Sequence, residues 1–221
     1  MGYTMQKNEI AKLIDHTLLR PEATHIDLGV LCNEAIEYGF ACVCVNPCNV
    51  DYAASLLRDS RIAICSVAGF PFGASRTEVK VVEAEMAIQD GAKEIDMVLN
   101  IGEFKNRNYR FVERDVREVG NAIGKDAILK VIIEAPILTE GEKIKATEIV
   151  ISAGADYVKT ATGINFSGAT IEDVALLKRV AGGRIKVKAA GGVRDRETAI
   201  TMIESGADRI GTSTGPKLLG I

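Results

Sequence analysis

The chain has 221 residues, 47% hydrophobic and 26% charged, with 27 basic against 30 acidic side chains and a net charge of −3, the composition of a globular chain that folds as a single domain. No apolar run approaches the roughly 18 to 20 residues that span a bilayer, and the opening Met1-Gly2-Tyr3-Thr4-Met5-Gln6-Lys7 lacks the apolar stretch of a signal peptide. Basic residues are scattered rather than gathered on one face, so the expectation is a cytoplasmic protein with neither a membrane nor a nucleic-acid partner.

In chain order, eight β-branched runs read as strands: Leu13 to Leu18, Ala41 to Asn46, Ile62 to Ala68, Glu94 to Asn100, Ile128 to Glu134, Tyr157 to Thr160, Ile185 to Ala189 and Arg209 to Ser213. Between them lie helical segments whose starts carry capping side chains: Thr24 with Asp27, Ser75 with Glu78, Thr139 with Glu142 and Thr170 with Asp173. Val112, Val116, Val119 and Ile123 repeat at helical spacing and predict one apolar stripe against a sheet. Strands separated by helices pair in parallel, and eight such units in one chain predict a single-domain α/β fold, the (β/α)8 TIM barrel, over residues 1–221. A doubly wound sheet is the competitor, but its Gly-rich nucleotide loop after the first strand is missing.

A weak repeat supports the barrel. Gly39, Gly91, Gly154 and Gly206 each precede a strand whose fifth place from the glycine is Val43, Ile95, Val158 or Ile210. If those four residues face the helices, strand alternation turns Cys44, Asp96, Lys159 and Gly211 into the barrel. The same alternation sets Lys186 and Lys188 on one face, as a second source of internal amine, with Lys188 nearer the strand end where barrel active sites form. An amine becomes nucleophilic only when neutral, and burial beside another cation favours that form.

Asp15 and Thr17 share a face of the first strand. Asp15 could hold a substrate hydroxyl, join a proton relay or cap a turn. His16 points the other way and reads as a hydrogen-bonded packing residue, and His25 as a solvated one. The five cysteines, Cys32, Cys42, Cys44, Cys48 and Cys65, crowd into the first third. With Cys42 and Cys44 too close for a zinc turn and only two histidines, they read as reduced thiols packed like small hydrophobes, with no metal. Three polar, Gly-containing turns follow the last three strands: Thr160-Ala161-Thr162-Gly163, Ala190-Gly191-Gly192-Val193 and Gly211-Thr212-Ser213-Thr214-Gly215. Together they predict a phosphate site. Neither a Gly-Lys-Ser/Thr loop nor a Gly-x-Gly-x-x-Gly fingerprint is present, so no nucleotide cofactor is indicated.

These segments resemble the deoxyribose-phosphate aldolase family of class I aldolases. The likeness is carried by IDHTLL (14 to 19), VAGFPFGA (67 to 74), GAKEIDMVLN (91 to 100), GADYVKTATG (154 to 163), KVKAAGGVR (186 to 194) and GADRIGTSTG (206 to 215). It implies that Lys159 forms a Schiff base, that Lys188 tunes its amine and that Asp96 takes part in proton transfer. It implies further that Thr162, Gly163, Gly191, Gly192, Ser213 and Thr214 bind substrate, chiefly its phosphate, while Asp15 and Thr17 line the pocket near the sugar hydroxyls. Ala161 and Thr214 stand where the family more often has Ser. The implied reaction is reversible cleavage of 2-deoxyribose 5-phosphate to glyceraldehyde 3-phosphate and acetaldehyde, in deoxyribonucleotide and carbohydrate catabolism, without cofactor or metal, by a homodimer or homotetramer. Two other readings stay open on the residues alone: a phosphosugar isomerase or synthase barrel, and a barrel that binds a phosphorylated metabolite without catalysis.

Overall fold

The computed structural model describes residues 5–221; Met1 to Thr4, part of the segment read for a signal peptide, lie outside the described residues. Eight parallel strands close into a barrel in the order β1 to β8: β1 (Ile14–Leu18), β2 (Cys42–Val45), β3 (Ala63–Ala68), β4 (Glu94–Val98), β5 (Ile128–Ile132), β6 (Tyr157–Lys159), β7 (Lys186–Ala190) and β8 (Arg209–Thr212), with β8 pairing back to β1. The helices are α1 (Lys7–Ala11), α2 (His25–Tyr38), α3 (Val50–Leu57), α4 (Thr77–Gln89), α5 (Ile101–Lys105), α6 (Tyr109–Ile123), α7 (Glu140–Ala153), α8 (Ile171–Ala181), α9 (Arg196–Glu204) and α10 (Gly215–Leu218). Among the described residues, no helix is long and apolar enough to cross a membrane.

All eight expected strands are present, most of them shorter than their apolar runs. The run from Glu94 stops at Val98 because Asn100 is recruited as the N-cap of α5, accepting from the Glu103 amide. The run from Ile128 stops at Ile132 because the backbone turns left-handed at Glu134, φ +52°. Thr24, Thr139 and Thr170 cap α2, α7 and α8 with their side chains. Ser75 does not cap a helix: α4 starts at Thr77 behind Arg76, with no side-chain cap. A tertiary contact meets it there, since the Thr77 hydroxyl donates to buried Asp115 of α6 at 2.8 Å.

The register follows the alternation. Val43, Ile95, Val158 and Ile210 are fully buried in the core shared with the helices, where the α6 stripe of Val112, Val116, Val119 and Ile123 joins them. Each such side chain contributes about 1.5 to 3 kcal/mol when taken out of water. The opposite faces of the strands point into the barrel, and there the usual branched apolar filling gives way to charge.

Candidate active site

The pairing register sets the interior residues in layers. Lys159 of β6 stands beside Lys188 of β7, Asp96 of β4 beside Lys130 of β5, and Lys188 beside Arg209 of β8. Asp96 is the hub. Its Oδ2 accepts from Lys159 Nζ and from Lys188 Nζ, each at 2.7 Å, and its Oδ1 from Lys130 Nζ at 2.8 Å. The two amines singled out in the sequence thus converge on one carboxylate oxygen. Room for this comes from β8: a Cβ on Gly211 would lie 3.2 Å from the Lys188 Cε and 3.0 Å from the Ala190 Cβ.

Below this layer, Arg209 donates to Asp15 at 2.7 Å and to Glu94 at 2.8 Å, and Lys130 Nζ lies 2.6 Å from Glu94. Lys188 also pairs with Asp15. Burial alone would raise the Asp15 carboxyl, but the charges of Lys188, Lys130 and Arg209 outweigh it and bring it down to about 2. Burial likewise opposes ionisation of Asp96, yet Lys130, Lys159 and Lys188 hold it well below the usual carboxylate range. Burial works against the charge on Lys188 too, and Asp15 and Asp96 reverse this, holding it well above the ordinary lysine value.

Above the layer lies a cavity of about 300 Å³. Lys159 is the only one of the three clustered lysines that lines it. Around it stand Thr17, Thr162, Gly163, Gly191, Gly192 and Ser213, so the three polar turns do converge on one space. Two close crossings build the wall. A Cβ on Gly191, φ +87°, would come 2.7 Å from the Gly168 Cα, and one on Gly163 would come 3.1 Å from the Gly191 Cα. Only glycine admits backbones this close.

Several expected positions are corrected. Asp15 is not a pocket residue: it is fully buried in the ion network beneath the cavity and lines none of it. Thr214 does not line the cavity either; its hydroxyl is 3.2 Å from that of Thr212 and donates to the Arg194 carbonyl, bracing the last turn. Thr162 does line it, but its hydroxyl and amide both donate to buried Glu134, at 2.7 and 3.1 Å. Lys186 is no internal amine; it is exposed at the start of β7 with its Nζ over the Tyr157 ring. His25 is more than solvated, since its ring stacks on Tyr52 at 4.0 Å. His16 is a packing residue, 2.6 Å from Glu34 and edge-on to Phe40.

Sequence reasoning missed Lys130, Glu94 and Arg209, although Lys130 in Ile-Leu-Lys-Val-Ile was a visible break in an apolar strand. It also missed Arg20 and Arg194, which line the cavity. Arg20 is committed to Asp27 at 2.6 Å and to Glu22 at 3.3 Å, whereas Arg194 is exposed beside the glycine turn. With Lys159 they make the wall cationic, and none of its lining residues is a carboxylate, the charge pattern that attracts an anion. All five cysteines are free thiols, and Cys32, Cys42, Cys44 and Cys65 are buried as expected. Cys48 is exposed, and buried Cys65 is no inert filler: its Sγ lies 3.2 Å from Asp96 Oδ1 and 3.2 Å from Lys130 Nζ. Cys44, Cys65 and Asp96, and likewise Asp15, Cys42 and Glu94, bring three ligand-type atoms within 4.8 Å of one another. In both groups a carboxylate is already paired with the Lys130 ammonium.

Comparison with known proteins agrees with this geometry. The family model described as DeoC/LacD family aldolase matches residues 9–218. The chain is 51% identical over 209 residues to a deoxyribose-phosphate aldolase of Clostridium perfringens (strain 13 / Type A), covering 95% of this chain and 93% of that one. It is 53% identical over 218 residues to a deoxyribose-phosphate aldolase of Thermococcus kodakarensis, covering 97% of each. Among solved structures it is similar to a tetrameric deoxyribose phosphate aldolase from Aeropyrum pernix, with a TM-score of 0.91 and 36% identity over 97% of this chain and 91% of that one.

Proposed function

Because the chain belongs to the DeoC/LacD aldolase family, and is therefore a lyase of carbon–carbon bonds, we propose that it cleaves 2-deoxy-D-ribose 5-phosphate to D-glyceraldehyde 3-phosphate and acetaldehyde through a Schiff base on Lys159. The observation that carries this reading is that Lys159 alone of the clustered amines reaches the cavity, while its nitrogen shares an Asp96 oxygen with Lys188.

The neutral Lys159 amine attacks the aldehyde carbon of the open-chain sugar, and loss of water gives an iminium that serves as an electron sink. Asp96 is buried behind Lys159 and reaches the substrate through a water on the cavity side of the Asp96–Lys188 pair. Through that water it takes the proton of the sugar 3-hydroxyl. The adjacent carbon–carbon bond then breaks toward the iminium, glyceraldehyde 3-phosphate leaves, and the remaining enamine is protonated and hydrolysed to acetaldehyde. Gly163, Gly191, Gly192 and Ser213 hold the phosphate, with Arg194 supplying charge at the rim and Thr17 facing the sugar. Thr162 and Thr214 act indirectly, by fixing the turns. On this reading the reaction belongs to deoxyribonucleotide catabolism in the cytoplasm, and the chain assembles as a homodimer or homotetramer.

The test is to incubate the protein with acetaldehyde and borohydride and map the added mass. An ethyl group on Lys159 is expected. Its absence, with turnover intact, overturns the covalent reading in favour of proton-transfer chemistry on the same phosphate site.

A further inference from the structure

Among the groups on Asp96, an amine and a thiol meet its two different oxygens. Oδ2 lies 2.7 Å from the Lys159 nitrogen, and Oδ1 lies 3.2 Å from the Cys65 sulfur. Cys65 has no exposure to solvent and its sulfur also lies 3.2 Å from the Lys130 nitrogen. The groups that face it are Cys42 and Cys44 of β2, Asp96 of β4 and Lys130 of β5. Lys188 of β7 acts on it from further off, and Asp15, Glu94 and Arg209 complete the chamber.

Within that chamber four cationic groups, Lys130, Lys159, Lys188 and Arg209, meet three carboxylates, Asp15, Glu94 and Asp96. An unbalanced charge out of water is costly. The count closes in two ways: Cys65 as thiolate with Lys159 as ammonium, or Cys65 as thiol with Lys159 as amine. Both states hold the same number of protons and the same net charge. They differ only in the place of one proton, and Asp96 touches both of its resting places.

We propose that Cys65 accepts the proton that Lys159 gives up on becoming a nucleophile, with the Asp96 carboxylate as the bridge. The inference rests on the Schiff-base reading above. An N–H bond of the ammonium breaks and an S–H bond forms, with no electron transfer and no further reactant. The carboxyl carries the proton from its Oδ2 side to its Oδ1 side by a half-turn about χ2, a torsion that is broad and two-fold in aspartate. The cavity then receives a neutral amine without any proton having to leave for bulk solvent. Burial and the adjoining Asp96 carboxylate both push the Cys65 thiol up, but hydrogen bonds from the Cys42 and Cys44 thiols, with the Lys130 charge, outweigh them and hold it well below the usual thiol range.

The experiment compares the wild-type protein with Cys65→Ser and Cys65→Ala in two measurements. Without substrate, the wild type is expected to show the ultraviolet absorption of one thiolate at neutral pH, and both variants to lack it. With acetaldehyde and borohydride, the wild type is expected to form the Lys159 adduct at a rate nearly independent of pH around neutrality, since amine and thiol appear together without a proton leaving, and the variants at a rate that rises with pH by up to about tenfold per unit. A variant that merely packs less well would be slowed equally at every pH. Coincident neutral-pH spectra, or pH profiles that keep the wild-type shape, overturn the proposal. A wild type that forms no adduct on Lys159 instead removes the Schiff-base reading, and the substrate-free spectrum tells the two failures apart.

Discussion

Among the described residues, two places bury a lysine against an aspartate, and only one of them has the makings of a reactive centre. Between α4 and α6, Lys80 donates to Asp115 at 2.7 Å and to the Val98 carbonyl at 3.0 Å, while Thr77 takes the other Asp115 oxygen. Both charged side chains are fully buried, one amine faces one carboxylate, and nothing opens onto a cavity. Burial lowers the Lys80 value and Asp115 only partly restores it. In the barrel, three lysines and an arginine press on three carboxylates, and one amine reaches a 300 Å³ space lined with cations. A buried lysine is therefore not by itself a sign of chemistry. An excess of cationic groups over carboxylates, with one amine at an open wall, is the informative pattern.

The sharpest way to break this comparison is to remove each lysine in turn. Lys159→Ala is expected to lower cleavage by about 10⁴-fold or more, with phosphate binding retained by calorimetry, since amine and anion are held by different strand ends. Equal loss of both would mean that the site is misplaced. Lys80→Met is expected to do the reverse. It strands a buried carboxylate and costs about 3 to 5 kcal/mol of stability, read from denaturant unfolding, while kcat/KM of the folded protein stays close to wild type.

Lys188→Leu sharpens the contrast from within the chamber. It deprives both Asp15 and Asp96 of a cation, removes the amine that shares an Asp96 oxygen with Lys159, and is expected to cut the neutral-pH rate by about 10²-fold; a rate matching wild type would contradict the role given to the pair. Smaller still is Arg194→Ala, expected to raise KM for the phosphorylated sugar about tenfold with kcat nearly unchanged and with the unphosphorylated sugar unaffected. A kcat effect of the same size would move Arg194 from the rim to the reacting atoms.

A last effect is on acid stability. The Asp15 carboxyl stands at about 2 in the folded chain against an ordinary 3.8. A depressed carboxyl stabilises the fold above its unfolded value and loses that contribution as pH falls through the folded one. The loss from this group is then about 2 kcal/mol, spread between about pH 4 and about pH 2. Asp15→Asn is expected to flatten that part of the unfolding profile; an unchanged slope would show that other carboxylates carry it.

Much of this was legible because strand alternation is a local rule. The fifth-place residues after the recurring glycines predicted which side chains line the barrel, and Asp96, Lys159 and Lys188 lie where that rule put them. The rule says nothing of depth. Asp15 and Thr17 share a face, yet one lies in the ion network and the other on the cavity wall, because two residues along a strand shift a side chain by about 7 Å. Ser75 failed as a cap for a related reason: Thr77 met a partner thirty-eight positions away, and no local signature contains that residue.

Taken by itself, the sequence determined the barrel, its register, the three glycine turns and the pair of amines, since each follows from periodicity or from the backbone freedom of glycine over a few neighbouring residues. The tertiary structure alone decided that Asp96 gathers Lys130, Lys159, Lys188 and Cys65 onto two oxygens, and that Lys159 is the amine left at the wall. Those contacts join five different strands, and electrostatic coupling depends on distances that only closure of the barrel sets.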